Sequence, residues 1–297
     1  MLEENKVRTM LQKVRAIELR TRQTMNEGLS GSYCSRFRGQ GINFEELRDY
    51  APGDEIRAID WNTTAKLHKP VVKIFREERE LTLLVVLDIS TSSFCGSTKQ
   101  SKREFAAEIA SVLALSALKN NDRVGLFLFS NHIEKFVRPK KGRSQLLSVI
   151  REALFFQPQH SQTDIVGCLQ SLEQMLKKKA IICFLSDFLP THTLDLQALT
   201  KILCRLHTRH DFLCIRIADP REQQLPDVGF VALSDAETGQ CTYVDTHNAS
   251  IRNRFANNQK QYWEHFQNAC LHCGIDVLTL TNGQPYLKGL RSLFQHR

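Results

Sequence analysis

The chain has 297 residues, of which 42% are hydrophobic and 24% charged. This is the composition of an ordinary soluble globular protein, long enough for one large domain or two. The formal net charge is +8, but basic and acidic residues alternate along most of the chain. The charge therefore favours a solvated surface, and no specific nucleic-acid site is expected.

The compartment can be predicted from the N-terminus and the cysteines. The first residues carry charges at short intervals and lack the apolar run of a secretory signal. No stretch reaches the eighteen or so apolar residues of a membrane span, since even LTLLVVL ends at Asp88. The nine cysteines are an odd number for a disulfide framework, and several lie in apolar runs, so we expect reduced thiols. We expect a cytoplasmic protein without a membrane span, although one that could lie at a membrane surface.

The first predicted element is an amphipathic helix, because apolar residues from Val7 to Ile17 recur at helical spacing. It accounts for the first predicted region, residues 1–30. A second region, residues 31–79, contains a glycine- and serine-rich loop and a turn at Pro52-Gly53. The third region, residues 80–297, is predicted to be the main domain.

Short apolar runs and helical patterns alternate through the third region. The apolar runs are at 81–87, 124–129, 180–186, 212–218 and 275–280, and the helical patterns are at 101–119, 144–156, 165–177, 195–208, 250–271 and 285–295. Buried strands separated by helices predict a mostly parallel sheet with helices on both faces, a three-layer α/β sandwich. The strand that ends at Leu87 is expected near the middle of the sheet. A late hairpin, GFVALSD to QCTYVD, turns at Gly239.

Oxygen-bearing side chains follow the predicted strands. Asp88, Ser90 and Ser92 follow the first strand of the sheet, Asp187 follows the third, and Thr163 precedes a helix. In an open parallel sheet, ligands bind at the carboxyl ends of strands, beside the point where the strand order reverses. We therefore expect these five side chains to converge there.

Two carboxylates and three hydroxyls form a hard-oxygen set that suits Mg²⁺ or Mn²⁺ rather than Zn²⁺. Five protein groups, some acting through water, leave one coordination position for a carboxylate of a partner protein. Because most of these ligands are neutral, we expect weak binding of the metal until the partner arrives. Thr163 has a simpler interpretation as a helix N-cap.

Two parts of the sequence resemble known families. DxSxS, followed by a distant threonine and a distant aspartate after a strand, resembles the metal-ion-dependent adhesion site of von Willebrand factor A domains. The preceding GINFEELRDYAPGDEIRAIDWNTTAK and KIFREERELTLLVVLDIS resemble the signature of the bacterial family called domain of unknown function 58. The resemblance covers about residues 30–297. It departs after Ser92, where this chain has Ser-Phe-Cys-Gly and relatives usually have Met then Gly, but all five predicted ligand positions are present.

The resemblance implies a von Willebrand factor A-like domain with a signature segment packed on its core. It also implies a partner, a MoxR-type AAA+ ATPase, with which such proteins are thought to assemble or remodel other proteins. We expect a non-catalytic, metal-dependent interaction module. The alternative is a hydrolase or phosphatase that uses Asp88, Ser90 and Asp187 to activate water on a metal.

Other motifs give weaker signals. The nucleotide-binding patterns GxxxxGK[ST] and GxGxxG and the nucleophile pattern GxSxG are absent. The loop histidines His132, His160 and His192 are each interpreted as single solvated residues. Cys270 and Cys273 form one CxxC without a second ligand pair, so core-facing thiols are favoured over a zinc site.

The segment 53–61 carries opposed charges around Trp61. We expect a structural clamp in which Arg57 pairs with Asp54, Glu55 or Asp60, and in which Trp61 is a buried anchor. The alternative is a docking surface for the ATPase.

Overall fold

A computed structural model describes residues 14–21, 43–52, 54–76, 80–97, 100–160, 162–189, 195–234 and 239–295. The strands are β1 (Asn43–Asp49), β2 (Val71–Arg76), β3 (Thr82–Asp88), β4 (Arg123–Phe129), β5 (Ile133–Lys140), β6 (Ile181–Ser186), β7 (Asp211–Ala218), β8 (Phe230–Ser234), β9 (Cys241–Asp245) and β10 (Asp276–Thr281). The helices are α1 (14–21), α2 (Trp61–Leu67), α3 (Lys102–Lys119), α4 (Arg143–Phe155), α5 (Ile165–Met175), α6 (Leu196–Arg209), α7 (Pro220–Gln223), α8 (Ala249–His272) and α9 (Leu287–Gln295). Short 3₁₀ turns cover Ile56–Ala58 and Thr91–Phe94.

The chain forms two compact units, one of residues 1–36 and 82–297 and the other of residues 37–81. Helix α1 and the described residues from 82 onwards therefore belong to the large unit. The packing of residues 31–79 on the core stays a prediction. Much of the predicted first helix, and the glycine- and serine-rich loop, lie outside the described residues.

The large unit contains a six-stranded sheet in the order β10-β7-β6-β3-β4-β5. All neighbouring pairs are parallel except β4 and β5, which are antiparallel. Strand β3 lies between β6 and β4, as its continuously apolar sequence predicts. The prediction of a mostly parallel α/β sheet is confirmed, although the antiparallel edge strand β5 was not predicted.

Helices cover both faces of this sheet. Helices α5, α6 and α8 pack with one set of alternate strand residues, including Val86, Phe127 and Phe184. Residues of the other set, such as Leu185, face Ala106 of α3, because successive strand side chains point to opposite faces. Helix α3 begins with a capping box between Ser101 and Glu104, which satisfies backbone N–H groups at its first turn.

The cysteine prediction is corrected by a disulfide. Cys204 of α6 and Cys273 at the end of α8 are bonded to each other, so not all of the cysteines are reduced thiols. Six others are free in the described chain. Cys270, the partner of Cys273 in the CxxC, is buried as expected.

In the small unit, β1 and β2 form an antiparallel pair that the sequence did not predict. The residues predicted to form a structural clamp do not form it. Asp54 accepts hydrogen bonds from Arg48 at 2.7 Å and from the backbone N–H of Ala51 at 2.9 Å, and Arg57 is exposed. Asp60 caps helix α2. Trp61 is not a buried anchor, since 65% of it is exposed.

Candidate functional site

The carboxyl ends of β3 and β6 lie at the point where the strand order reverses. From β3 the chain continues to β4 and β5 on one side, and then returns to β6, β7 and β10 on the other. A crevice forms at such a point because the connecting loops diverge to either side. Asp88 is the last residue of β3, and Asp187 follows β6, so both carboxylates lie at this crevice.

Hydrogen bonds join four of the five predicted residues. Oδ1 of Asp88 accepts from the backbone N–H of Ser90 at 2.9 Å, and Oδ2 accepts from the hydroxyl of Ser186 at 2.8 Å. The hydroxyls of Ser90 and Ser92 are 3.1 Å apart, and Ser92 donates to Oδ2 of Asp187 at 2.7 Å. The structure thus brings Asp88, Ser90, Ser92 and Asp187 into one connected group.

Thr163 lies on a neighbouring loop at the same edge of the sheet. The N–H of the next residue, Asp164, donates to the carbonyl of Ser130 at 3.1 Å, and Ser130 directly follows β4. Asp164 caps helix α5 through the N–H of Gly167 at 2.9 Å. The helix cap is therefore Asp164, so the simpler interpretation of Thr163 as the cap does not apply. Its place in the ligand set stays a prediction.

Lys102 is the main site residue that the sequence did not reveal. It is 2% exposed, and its ammonium donates to Oδ2 of Asp187 at 2.7 Å and also to Oε1 of Glu222. From sequence alone, a lysine at the first position of a helix is normally expected to be exposed to solvent. Glu222 did carry a signal, because it lies just beyond β7, at a third carboxyl end of the sheet.

The charged groups of this cluster shift one another's pKa values. Burial, and then the charge of Asp187, raise the pKa of Asp88 to about 6. Burial also acts to raise the pKa of Asp187, but the ammonium of Lys102 outweighs it, and the pKa is lowered. Burial acts to lower the pKa of Lys102, but the two carboxylates that it contacts raise it. Lys102 therefore stays charged and holds Asp187 ionised.

The backbone after Asp187 is in an unusual conformation. Phe188 has φ of +49°, in the left-handed region that bulky residues rarely adopt. Its ring is buried 4.6 Å from that of Phe266 and 5.5 Å from that of Phe184, measured between centroids, and its N–H donates to the hydroxyl of Ser186 at 3.0 Å. Core packing thus fixes the turn that carries Asp187, since such conformations persist only where the surroundings impose them.

The spacing of the oxygens fits a small octahedral ion. Mg²⁺ bonds of 2.0–2.1 Å place adjacent ligands about 2.9 Å apart. The observed separations are 3.1 Å between the hydroxyls of Ser90 and Ser92 and 2.7 Å between Ser92 Oγ and Asp187 Oδ2. Asp88, Ser90, Ser92 and Asp187 could therefore hold such an ion.

The chain is similar to several proteins. Uncharacterized proteins of Mycobacterium bovis and Mycobacterium tuberculosis are each 27% identical to it over 277 residues, which is 92% of this chain and 85% of theirs. Among solved structures it is similar to the conserved hypothetical protein BatB of Bacteroides thetaiotaomicron, with 15% identity and a TM-score of 0.44 over 71% of this chain and 96% of that one. It is also similar to the SpRpn10 VWA domain, with 12% identity and a TM-score of 0.42 over 71% of this chain and 93% of that one.

The family described as "Protein of unknown function DUF58" matches residues 46–264. This match spans most of the small unit, five of the six strands of the large sheet (β3 to β7) and most of helix α8. Within the described residues, no helix combines the length and the apolar character needed to cross a membrane. The chain belongs to the DUF58 family.

Proposed function

We propose that this chain is a metal-dependent protein-interaction module that serves as adaptor or cofactor of a MoxR-type AAA+ ATPase in the assembly or remodelling of other proteins. The observation that supports the proposal is the connected oxygen group of Asp88, Ser90, Ser92 and Asp187 at the switch point of the sheet. An Mg²⁺ or Mn²⁺ ion held there takes its last ligand from an acidic residue of the partner. The ATPase itself is suggested by the family resemblance of the signature segment.

The charges of this side-chain cluster support a metal site whose last ligand is a carboxylate of a partner protein. Lys102 contacts both Asp187 and Glu222. The ionised carboxylates of Asp88, Asp187 and Glu222 and the one ammonium together leave two negative charges, which match the two charges of the ion. Serine hydroxyls add no charge and bind Mg²⁺ weakly, so a further carboxylate would strengthen binding considerably. Metal binding and partner binding are thereby coupled.

We favour an interaction role over hydrolysis or phosphatase activity, because Lys102, the buried amine beside the ion, cannot act as a general base. Metal-assisted hydrolysis needs a general base next to the water that attacks. Lys102 stays an ammonium because its pKa is raised, and it therefore cannot accept a proton. Ser92 already donates to Asp187 at 2.7 Å. We propose that the chain has no catalytic activity of its own, and a phosphatase assay of the purified protein with Mg²⁺ tests this.

Binding of the MoxR-type ATPase to the purified chain tests the adaptor role. We expect binding in Mg²⁺ that is lost in EDTA and in Asp88→Asn, which keeps the shape of the side chain. The matched control is Asp195→Asn, since Asp195 also accepts from the N–H two residues later, at 2.8 Å, but at the start of α6. Binding that ignores both the chelator and Asp88→Asn would contradict the proposal.

A further inference from the structure

A second group of side chains of the types that ligate metal ions lies between strand β4 and helix α5. His132 follows β4, Glu134 belongs to β5, and His160 lies in the loop that leads to α5. One ligand atom of each lies within 4.8 Å of the other two. The sequence predicts that these histidines are single solvated residues, but His132 and His160 are 4.1 Å apart between ring centroids.

Glu134 is held in a fixed position by one of its oxygens. Its side chain is only 1% exposed. Oε1 accepts from the hydroxyl of Ser130 at 2.7 Å and from the backbone N–H groups of Gln159 and His160 at 3.1 and 3.3 Å. Three hydrogen bonds to one oxygen stabilise the ionised form of the carboxylate. The carboxylate is thus anionic, with Oε2 left to face the histidine.

Hydrogen bonding also sets the orientation of His132. Its Nδ1 lies 2.7 Å from Oδ1 of Asn131, and because an amide oxygen only accepts, Nδ1 carries the proton. Nε2, the other ring nitrogen, faces Oε2 of Glu134 at 3.9 Å. This distance is too long for a hydrogen bond. A histidine held by an acceptor at one nitrogen and open at the other is the usual state of a metal ligand.

The separations suit two ligands of one ion. Bonds of 2.0–2.2 Å in a tetrahedral site place the ligand atoms about 3.3 Å apart, so His132 and Glu134 need to approach by less than an ångström. His160 is exposed, and its ring can therefore adjust while its backbone stays bonded to Glu134. Imidazole nitrogens select Zn²⁺ and similar transition metals over Mg²⁺.

We propose that His132, Glu134 and His160 form a binding site for a zinc-class transition metal ion. Three protein ligands leave the fourth tetrahedral position for water or an outside ligand. The ion would link the turn after β4 to the loop before α5. That loop also carries Thr163, so the ion would restrain a predicted ligand of the oxygen site. This proposal does not depend on the ATPase or on Mg²⁺.

Zinc binding by tag-free chain tests the proposal, with metal content measured after dialysis and affinity by competition with a chromogenic chelator. We expect one Zn²⁺ per chain and, with Co²⁺ as the probe, the visible absorption of a tetrahedral site. His160→Ala should weaken zinc binding at least about tenfold, and it should fold normally because His160 is exposed. The matched control is His247→Ala, which removes an exposed histidine 2.6 Å from Asp227.

A second readout is thermal stability, since a ligand that binds only the folded chain raises the melting temperature. Zn²⁺ should raise it for the wild type and for His247→Ala, and should raise it less for His160→Ala. The proposal is overturned if His160→Ala binds zinc like the wild type, or if the wild type binds none. Zinc binding lost in Asp88→Asn but kept in His160→Ala would place the ion at the oxygen site, which also overturns this proposal and leaves the proposed function standing.

Discussion

The ammonium of Lys102 lies 2.7 Å from Oδ2 of Asp187, and both side chains are buried. A fixed positive charge therefore already sits against a carboxylate that is predicted to bind a metal ion. A divalent ion that binds Asp187 is repelled by this ammonium, because two positive charges a few ångströms apart interact strongly in a poorly solvated site. Lys102 thus stabilises the metal-free chain and weakens metal binding.

Lys102→Gln should therefore destabilise the metal-free protein. Asp187 and Glu222 would lose the cation that both contact, and an uncompensated buried charge costs about 3–5 kcal/mol. Urea unfolding in EDTA measures the loss. Lys260→Gln is the control, because Lys260 also pairs with a carboxylate, that of Glu264 at 3.8 Å, but is exposed. An equal loss in both variants would show that the buried pair contributes nothing particular.

The same substitution should strengthen Mg²⁺ binding. Without the ammonium, the ion is attracted by Asp88, Asp187 and Glu222. Arg216, whose charge acts on Asp187 and Glu222, still repels it, but it does not take the place of Lys102 against Asp187. We expect the dissociation constant to fall at least about tenfold, which corresponds to about 1.4 kcal/mol. Isothermal titration of Lys102→Gln and Lys260→Gln with Mg²⁺ gives the comparison. Weaker binding by Lys102→Gln would mean that the lysine organises the site rather than competing with the ion.

The burial of each strand and the sequence separation of each contact explain which features the sequence predicts and which it misses. Strands β3, β6 and β7 were predicted because a strand buried on both faces is a continuous apolar run. Strand β5, IEKFVRPK, was missed because an edge strand is half exposed and tolerates charges and a proline. Residues at the ends of predicted strands could be assigned to the site. Lys102 could not, because its two partners lie 85 and 120 residues away.

Trp61→Ala should leave stability almost unchanged, contrary to what the sequence predicts. A buried tryptophan would cost about 3–5 kcal/mol on removal, whereas Trp61 is 65% exposed and surface changes usually stay within about 0.5 kcal/mol. Urea unfolding measures this. If the variant melts like the wild type and loses the ATPase, the segment 53–61 is a docking surface. If it is strongly destabilised, the clamp interpretation is restored.

Protonation of His210 should reduce stability at mildly acidic pH. His210 is buried, and its Nδ1 accepts from the N–H of Ala180 at 3.2 Å, which requires the neutral ring. Burial, and then the charge of Arg209, lower its pKa below the ordinary 6.5. The unfolded chain therefore binds the proton more readily. The stabilisation is complete above pH 6.5 and is lost as the pH falls below that value towards the folded pKa.

His210→Asn keeps an acceptor and removes this titration. The free energy of unfolding should fall less for His210→Asn than for the wild type between about pH 7 and about pH 5. His265→Asn, at an exposed position, should follow the wild type. Parallel curves for all three proteins would exclude His210 as a source of the acid sensitivity.

Phe188 and Phe266 allow packing and site geometry to be separated. Their rings lie 4.6 Å apart between centroids in the same buried cluster, so each alanine variant should lose about 3–5 kcal/mol of stability. Only Phe188 follows Asp187 directly and has φ of +49°. Without its ring the backbone can relax to a commoner conformation, which turns the carboxylate of Asp187 away from Ser92. Phe188→Ala should therefore raise the dissociation constant for Mg²⁺ at least about tenfold, whereas Phe266→Ala, which keeps Phe188 and removes only one of the rings packed on it, should raise it less. Mg²⁺ titrations on the folded variants measure both values, and equal affinities would show that the left-handed turn does not position the ligand.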